Sequence, residues 1–229
     1  MCLTTNSHTI TFADPNFKSA LLSATTENYI ATRFDSNYGC YRSIKVDYND
    51  DGEIQLDEAL SIDGLNLSSI KNISALSEIY LFSNLEGLDC SNNLLKTLIF
   101  SGTITTARMR LNCSNNQLSQ LNIASLTNLF ELSCQNNQLK TLDILGFRKL
   151  REINCSHNQL TTLIVNAQVE YCQVYLDWSN NLLSSLYMYG NDVNSLKCNN
   201  NLLTSKICTA ILVMWIVVIT YYLLLIYPV

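Results

Sequence analysis

The densest run of metal-ligating groups in the chain is Asp47-Tyr48-Asn49-Asp50-Asp51-Gly52-Glu53-Ile54-Gln55-Leu56-Asp57-Glu58. Asp47, Asn49 and Asp51 offer side-chain oxygens at alternate positions. Gly52 permits a sharp bend, Glu53 offers its backbone carbonyl, and Glu58 can hold a cation with both carboxylate oxygens. Every donor is oxygen, so the chemistry is that of a hard cation. Ca²⁺ takes about six to eight such ligands, which this loop and water can supply. The competing reading is an acidic, solvated turn. Catalytic chemistry has far less to work with. The only histidines are His8 and His157, and no nucleophile elbow, phosphate loop or histidine pair is present. The sequence therefore predicts a protein that is not an enzyme.

The order and spacing of those residues resemble the twelve-residue EF-hand loop, with Ile54 at its apolar anchor position. One departure is clear. Arg42-Ser43-Ile44-Lys45-Val46 before the loop reads as a strand, not an entering helix, so the resemblance implies an isolated, structural calcium loop. Asp35-Ser36-Asn37-Tyr38-Gly39 is either a degenerate second loop or an ordinary turn. Upstream, Asp14-Pro15 followed by Asn16-Phe17-Lys18-Ser19-Ala20-Leu21-Leu22 predicts a short capped helix, since proline suits the first helical position and aspartate the cap.

What must position such a loop is set by a repeat. Cys90, Cys113, Cys134, Cys155, Trp178 and Cys198 recur at steps of 23, 21, 21, 23 and 20 residues. Two positions before them stand Leu88, Leu111, Leu132, Ile153, Leu176 and Leu196. Three positions after them stand Asn93, Asn116, Asn137, Asn158, Asn181 and Asn201. Leu95, Leu118, Leu139, Leu160, Leu183 and Leu203 follow. The leucine and cysteine alternate with polar residues, so each unit predicts a short strand with one face inward. The asparagine then turns the chain, its amide available to backbone groups the turn leaves unpaired. Burying a leucine-sized side chain gains roughly 1.5–3 kcal/mol, while fixing each backbone residue costs about 1–2 kcal/mol. With about six apolar residues in a repeat of about 21, one unit cannot fold alone and only a stack is stable.

The pattern resembles the leucine-rich repeat, with cysteine in one leucine slot. The resemblance implies an α/β fold class: a leucine-rich-repeat solenoid of short parallel strands with a mostly irregular convex side. Residues 1–62 read as an N-terminal cap holding the loop at 47–58, and residues 63–206 as the repeats. Leu65, Leu67, Ile73, Leu76 and Ile79 form a weaker unit expected to cap the stack. Trp178 breaks the cysteine column, and Lys206 stands where an apolar residue belongs, so the stack is expected to end there. Five of the nine cysteines lie in the inward slot and read as buried free thiols, while Cys2, Cys40, Cys172 and Cys208 lie outside it. His157 occupies the slot held elsewhere by Asn92, Asn115, Asn136, Asn180 and Asn200, an exposed substitution.

Only 14% of the residues are charged and the net charge is −5. No lysine-arginine cluster appears, which argues against nucleic acid as a partner. From Ile207 to Val229 there is no charged residue. As a helix these residues would span about 34 Å, against about 30 Å of hydrocarbon, so 207–229 predicts a single-pass C-terminal transmembrane anchor. Met1 to Thr11 lacks the charged and apolar stretches of a signal peptide. The repeats of an intact chain would then lie on the cytosolic side, as Lys206 beside the membrane also favours.

Helix, calcium-type loop and cysteine-asparagine repeats in that order resemble the N-terminal region of bacterial secreted and cell-surface leucine-rich-repeat proteins. That resemblance implies a cell-surface setting and a role in adhesion or protein interaction. It is preferred here over the cytosolic arrangement. The expected function is a membrane-attached, non-catalytic module binding a protein or glycan ligand; a structural spacer and a tail-anchored cytosolic scaffold are the alternatives. Three polar columns are expected to face water: Asp89, Asn112, Ser133, Asn154, Asp177 and Lys197; Ser91, Ser114, Gln135, Ser156, Ser179 and Asn199; and Gly87, Arg110, Glu131, Glu152, Tyr175 and Ser195. Within them, Arg110, Glu131, Glu152, Tyr175 and Asp177 are the expected ligand contacts.

Overall fold

A computed structural model describes residues 8–102, 104, 106–166, 174–189, 193–203 and 208–210. The first helix, α1 (Pro15–Leu22), starts as expected, with Pro15 at its first position. Asp14 caps it and also accepts from Ser74 N, Ser74 Oγ and Ala75 N at 2.6, 2.8 and 3.1 Å, which ties the cap to the repeats. Strands β1 (Ala31–Asp35) and β2 (Cys40–Ser43) follow, then α2 (Leu56–Leu60) and β3 (Gly64–Asn66). The repeats contribute β4 (Gly87–Asp89), β5 (Thr97–Ile99), β6 (Met109–Asn112), β7 (Gln120–Asn122), β8 (Leu129–Ser133), β9 (Glu152–Asn154) and β10 (Thr162–Asn166). They continue through β11 (Val174–Asp177), β12 (Ser185–Tyr189), β13 (Val193–Lys197) and β14 (Cys208–Ala210).

Nine of these strands form one sheet in the order β13-β11-β9-β8-β6-β4-β3-β1-β2. From β3 onward the pairing is parallel and in register: Leu65 meets Leu88, Leu88 meets Leu111, Leu111 meets Leu132, and Ile153 meets both Leu132 and Leu176. The unit around Leu65 is thus a full layer of the sheet. The register follows from burial: a one-residue slip would carry each leucine to the water face. Cys90, Cys113, Cys134 and Cys155 are wholly buried free thiols, as is Cys198 to 4% exposure. Burial pushes their thiols above the usual cysteine range, so they behave as small apolar core groups. Trp178 is also fully buried, its larger ring packed into the same column.

The asparagines join one layer to the next. Asn137 Oδ1 accepts from Leu118 N at 2.9 Å, and its Nδ2 donates to Cys113 O and Cys134 O at 3.0 Å each. Asn116, Asn158, Asn181 and Asn201 repeat this geometry. Just before them, Asn92, Asn115, Asn136, His157, Asn180 and Asn200 all hold positive φ between 53° and 57°. Asparagine tolerates this left-handed region better than most residues. These side chains make a second ladder: Asn136 donates to Asn115, Asn200 to Asn180, and Asn180 Nδ2 to His157 Nε2 at 3.1 Å.

Three expectations need correction. The side opposite the long sheet is partly regular, with β5 pairing β7 and β10-β12-β14 forming a parallel sheet. Helices among the described residues are confined to the cap and to a single 3₁₀ turn at Ile79–Leu81, so the solenoid is β-rich rather than α/β. The anchor predicted over 207–229 also fails. Within it, Cys208–Ala210 is a strand paired with β12, so the second sheet continues past Lys206. Among the described residues no helix is long and apolar enough to cross a membrane. The remainder of that segment, 207 and 211–229, lies outside the described residues, as does Lys206.

Candidate functional site

Two places gather polar side chains: the loop at 47–58 and the water face of the long sheet. The loop bends as its sequence requires. Gly52 has φ 78° and Asp50 has φ 62°. Ile54 is fully buried, and its carbonyl accepts from Ile10 N at 2.8 Å. Asp47 Oδ1 and Oδ2 accept from Asp51 N and Gly52 N at 3.2 and 3.1 Å. Asn49 Oδ1 also accepts from Asp51 N, and Asp51 Oδ1 accepts from Glu53 N. Glu53 pairs with Lys18 of α1 at 2.8 Å.

Glu58 is fully buried at the start of α2. Its two carboxylate oxygens accept from Tyr48 N and Gln55 N at 3.0 and 2.9 Å. Burial raises its pKa, and the charges of Asp47 and Asp51 push the same way, against the lowering by those two amides. Loop backbone and oxygen donors therefore fit a hard cation, which would relieve three mutually repelling carboxylates. The side chains are closed on backbone amides, however. Among the described residues no three His, Cys, Asp or Glu side chains gather as a preformed metal cage. Asp35–Gly39 is the turn of the β1–β2 hairpin: Gly39 N donates to Asp35 O at 2.8 Å, with Gly39 at φ 66°.

On the sheet, Arg110, Glu131, Glu152 and Tyr175 stand in one row, each paired in register with the next. Asp177 lies two residues beyond Tyr175 on β11, in the row of Asp89, Asn112, Ser133 and Asn154. Not all of the expected contacts are equally available. Arg110 Nε bonds Glu131 Oε1 at 3.1 Å. Asp177 Oδ2 faces Lys197 at 3.4 Å, and its Oδ1 accepts from Ser179. Glu152 and Tyr175 are left as an adjacent exposed pair, Tyr175 at 47% exposure.

The serine column is a correction. Ser91, Ser114, Ser156 and Ser179 are buried, and each hydroxyl donates to the side chain two residues before it. They close the turn leaving each strand and offer nothing to a ligand. Sequence reasoning also passed over a stack in which Arg108 and Arg151 lie over the Phe130 ring at 5.0 and 5.1 Å. A hollow at the cap end of the sheet was missed as well. Its signal is glycine at 64 and 87, in the row that elsewhere carries Arg110, Glu131, Glu152 and Tyr175.

In-register strands, inward leucines and asparagine turns define a leucine-rich-repeat solenoid. The family model described as leucine-rich repeats (two copies) matches residues 127–167. Among solved structures, the chain is similar to the functional domain of InlJ from Listeria monocytogenes, described as including a cysteine ladder. The identity is 23% and the TM-score 0.54, over 85% of this chain and 43% of that one. The chain thus spans less than half of that structure, and the likeness concerns the fold. No curated protein matches it.

Proposed function

We propose that the chain is a non-catalytic recognition module that binds a protein ligand through the water face of its nine-stranded sheet. The supporting observation is the unbroken register that sets Arg110, Glu131, Glu152 and Tyr175 side by side on one rigid surface. Stacked repeats bind through such extended surfaces. Glu152 and Tyr175 form the working centre, because among the described residues neither is drawn into an ion pair as Arg110 and Asp177 are. Tyrosine supplies contact area at small entropic cost, which is why it is common at binding hot spots.

In this reading the loop at 47–58 is a structural calcium site. Asp47, Asn49, Asp51, the Glu53 carbonyl and Glu58 would hold the ion, and the Lys18–Glu53 pair would couple it to α1. The protein-binding claim is tested by affinity capture with wild-type protein and with Glu152→Ala/Tyr175→Ala. A partner kept by wild type and lost by the double variant supports it. Equal retention by both removes this patch. A chain retaining no specific partner would instead fit the spacer reading.

A further inference from the structure

The cap end of the same sheet carries two adjoining hollows, of about 410 and 400 Å³, that share Thr32, Gly64, Gly87 and Arg110. Their depth has a local cause. Gly64, Gly87 and Arg110 are register partners in one row, so two layers lack the side chain that fills the row elsewhere. The two glycines differ in why they are glycine. A Cβ on Gly64 would meet Thr32 Oγ1 at 2.4 Å, so packing against β1 demands it. A Cβ on Gly87 would meet nothing within 4 Å, so its bareness simply leaves open space.

The walls carry aromatic rings, and the lining mixes apolar surface with charged and polar groups. Tyr29 stands at one side, 74% exposed. Tyr41 stands at the other, its hydroxyl donating to Glu86 Oε2. The leucines beneath, Leu65 and Leu88, are buried at 3% and 2% exposure and offer no apolar floor. Arg110 spends its Nε on Glu131, which leaves its terminal N–H groups as donors. Asp63 and Glu86 supply acceptors, each with one carboxylate oxygen already taken, by Phe34 N and the Tyr41 hydroxyl, while both oxygens of Asp89 are engaged by Ser91 and Asn112; among the described residues none of the three is in an ion pair.

This lining selects by elimination. A cation would face Arg108 and Arg110, an anion would face three carboxylates, and an apolar anchor would take water from both sets of charges and return no partner. A neutral ligand rich in hydroxyls suffers no like-charge repulsion. Each hydroxyl can both donate to a carboxylate and accept from a guanidinium, while the C–H face of a ring packs on tyrosine. We propose that the hollow over Gly64 and Gly87, between Tyr29 and Tyr41, is a saccharide-binding subsite at the cap end of the recognition face. The subsite rests on reading that face as a recognition surface and names a second ligand class for it.

The test is a glycan array probed with the labelled protein, alongside Gly87→Leu, Tyr29→Ala and, as a control, Lys140→Ala, an exposed position away from the long sheet. Wild type and Lys140→Ala should retain the same saccharides. Gly87→Leu fills the hollow at a position where the backbone is not in the left-handed region, and should weaken retention about tenfold or more, as should Tyr29→Ala. Circular dichroism checks that each variant is folded. If Gly87→Leu is not, Tyr29→Ala carries the test alone. Retention of no saccharide, or equal retention by wild type and Tyr29→Ala, overturns the subsite. So does saturable binding of acetyl-lysine amide in place of any sugar. A protein partner lost by Glu152→Ala/Tyr175→Ala, with no saccharide retained by wild type, would leave the recognition face standing while the subsite falls.

Discussion

Asn137→Ala removes one rung from the middle of the solenoid, and its cost follows from which groups lose partners. The Nδ2 donors leave the Cys113 and Cys134 carbonyls and a longer 3.4 Å contact to Gln135 O, which keeps Asn115 N, and none is orphaned. Cys113 O keeps Asn116 Nδ2 at 3.1 Å, and Cys134 O keeps Asn158 Nδ2 at 3.0 Å. Leu118 N loses its acceptor outright in a buried setting. An orphaned buried amide costs about 1–3 kcal/mol, and each of the two lost bonds to a carbonyl that keeps another partner adds about 0.5–1.5 kcal/mol, giving about 2–6 kcal/mol in all. Asn137→Asp should be worse, because it keeps the acceptor for Leu118 N but brings a buried carboxylate up to two carbonyls. Asn136→Ala is the control. That residue is exposed, and its loss costs about 1 kcal/mol through one bond and its left-handed φ of 55°. Urea unfolding followed by far-ultraviolet circular dichroism reads all three. A cost for Asn137→Ala below about 1 kcal/mol, or Asn137→Asp milder than alanine, would refute the ladder as a source of stability.

Other variants probe the joints around that ladder. Asp14→Ala should cost about 2–4 kcal/mol by urea titration, because it uncaps α1 and releases Ser74 and Ala75. Burial opposes Asp14's ionisation, but the Ser74, Asn16 and Ala75 hydrogen bonds outweigh it and hold its pKa below the usual value. Its contribution is thus present above the unfolded carboxylate pKa and lost as pH falls through the lower folded value, a slope the variant should lack. In EDTA, stability should fall as pH rises from the ordinary glutamate pKa through the raised value of buried Glu58, since the folded state holds that proton longer. Calcium at 100 times its Kd should add about 2.7 kcal/mol, an effect Asp47→Ala should abolish; superimposable melts in calcium and EDTA would count against the site. Trp178 Nε1 is buried without a partner among the described residues. Trp178→Phe should therefore stay within about 1 kcal/mol of wild type, while Trp178→Cys, despite restoring the repeat pattern, should cost about 3–5 kcal/mol through the cavity it opens.

The parts of the fold legible in the sequence are those written by periodicity. A leucine or isoleucine two residues before a buried slot, six times over and five times with cysteine in that slot, allows only one strand face inward, and the register of Leu88, Leu111 and Leu132 follows. Asp14 and Pro15 announce α1 through local chemistry alone. What periodicity cannot distinguish is a polar residue facing water from one closing a turn. Ser91 and Ser114 look solvent-facing by spacing, yet their hydroxyls are taken by Asp89 and Asn112. Uniform apolarity after Lys206 is equally ambiguous, because a strand in a second sheet needs the same residues as a membrane helix, and Cys208–Ala210 took the strand. The hollow at Gly64 and Gly87 is tertiary in origin: its walls come from Tyr29 and Tyr41, far away in the chain, so the glycines alone could not reveal it.

The account stands most directly on whether the sheet face binds. The decisive measurement is quantitative affinity capture with mass spectrometry, comparing wild type, Glu152→Ala/Tyr175→Ala, and Lys140→Ala, an exposed position away from the long sheet. The account predicts a protein partner retained by wild type and by Lys140→Ala and lost by the double variant. Retention of that partner by all three, or its loss only in Lys140→Ala, would contradict it.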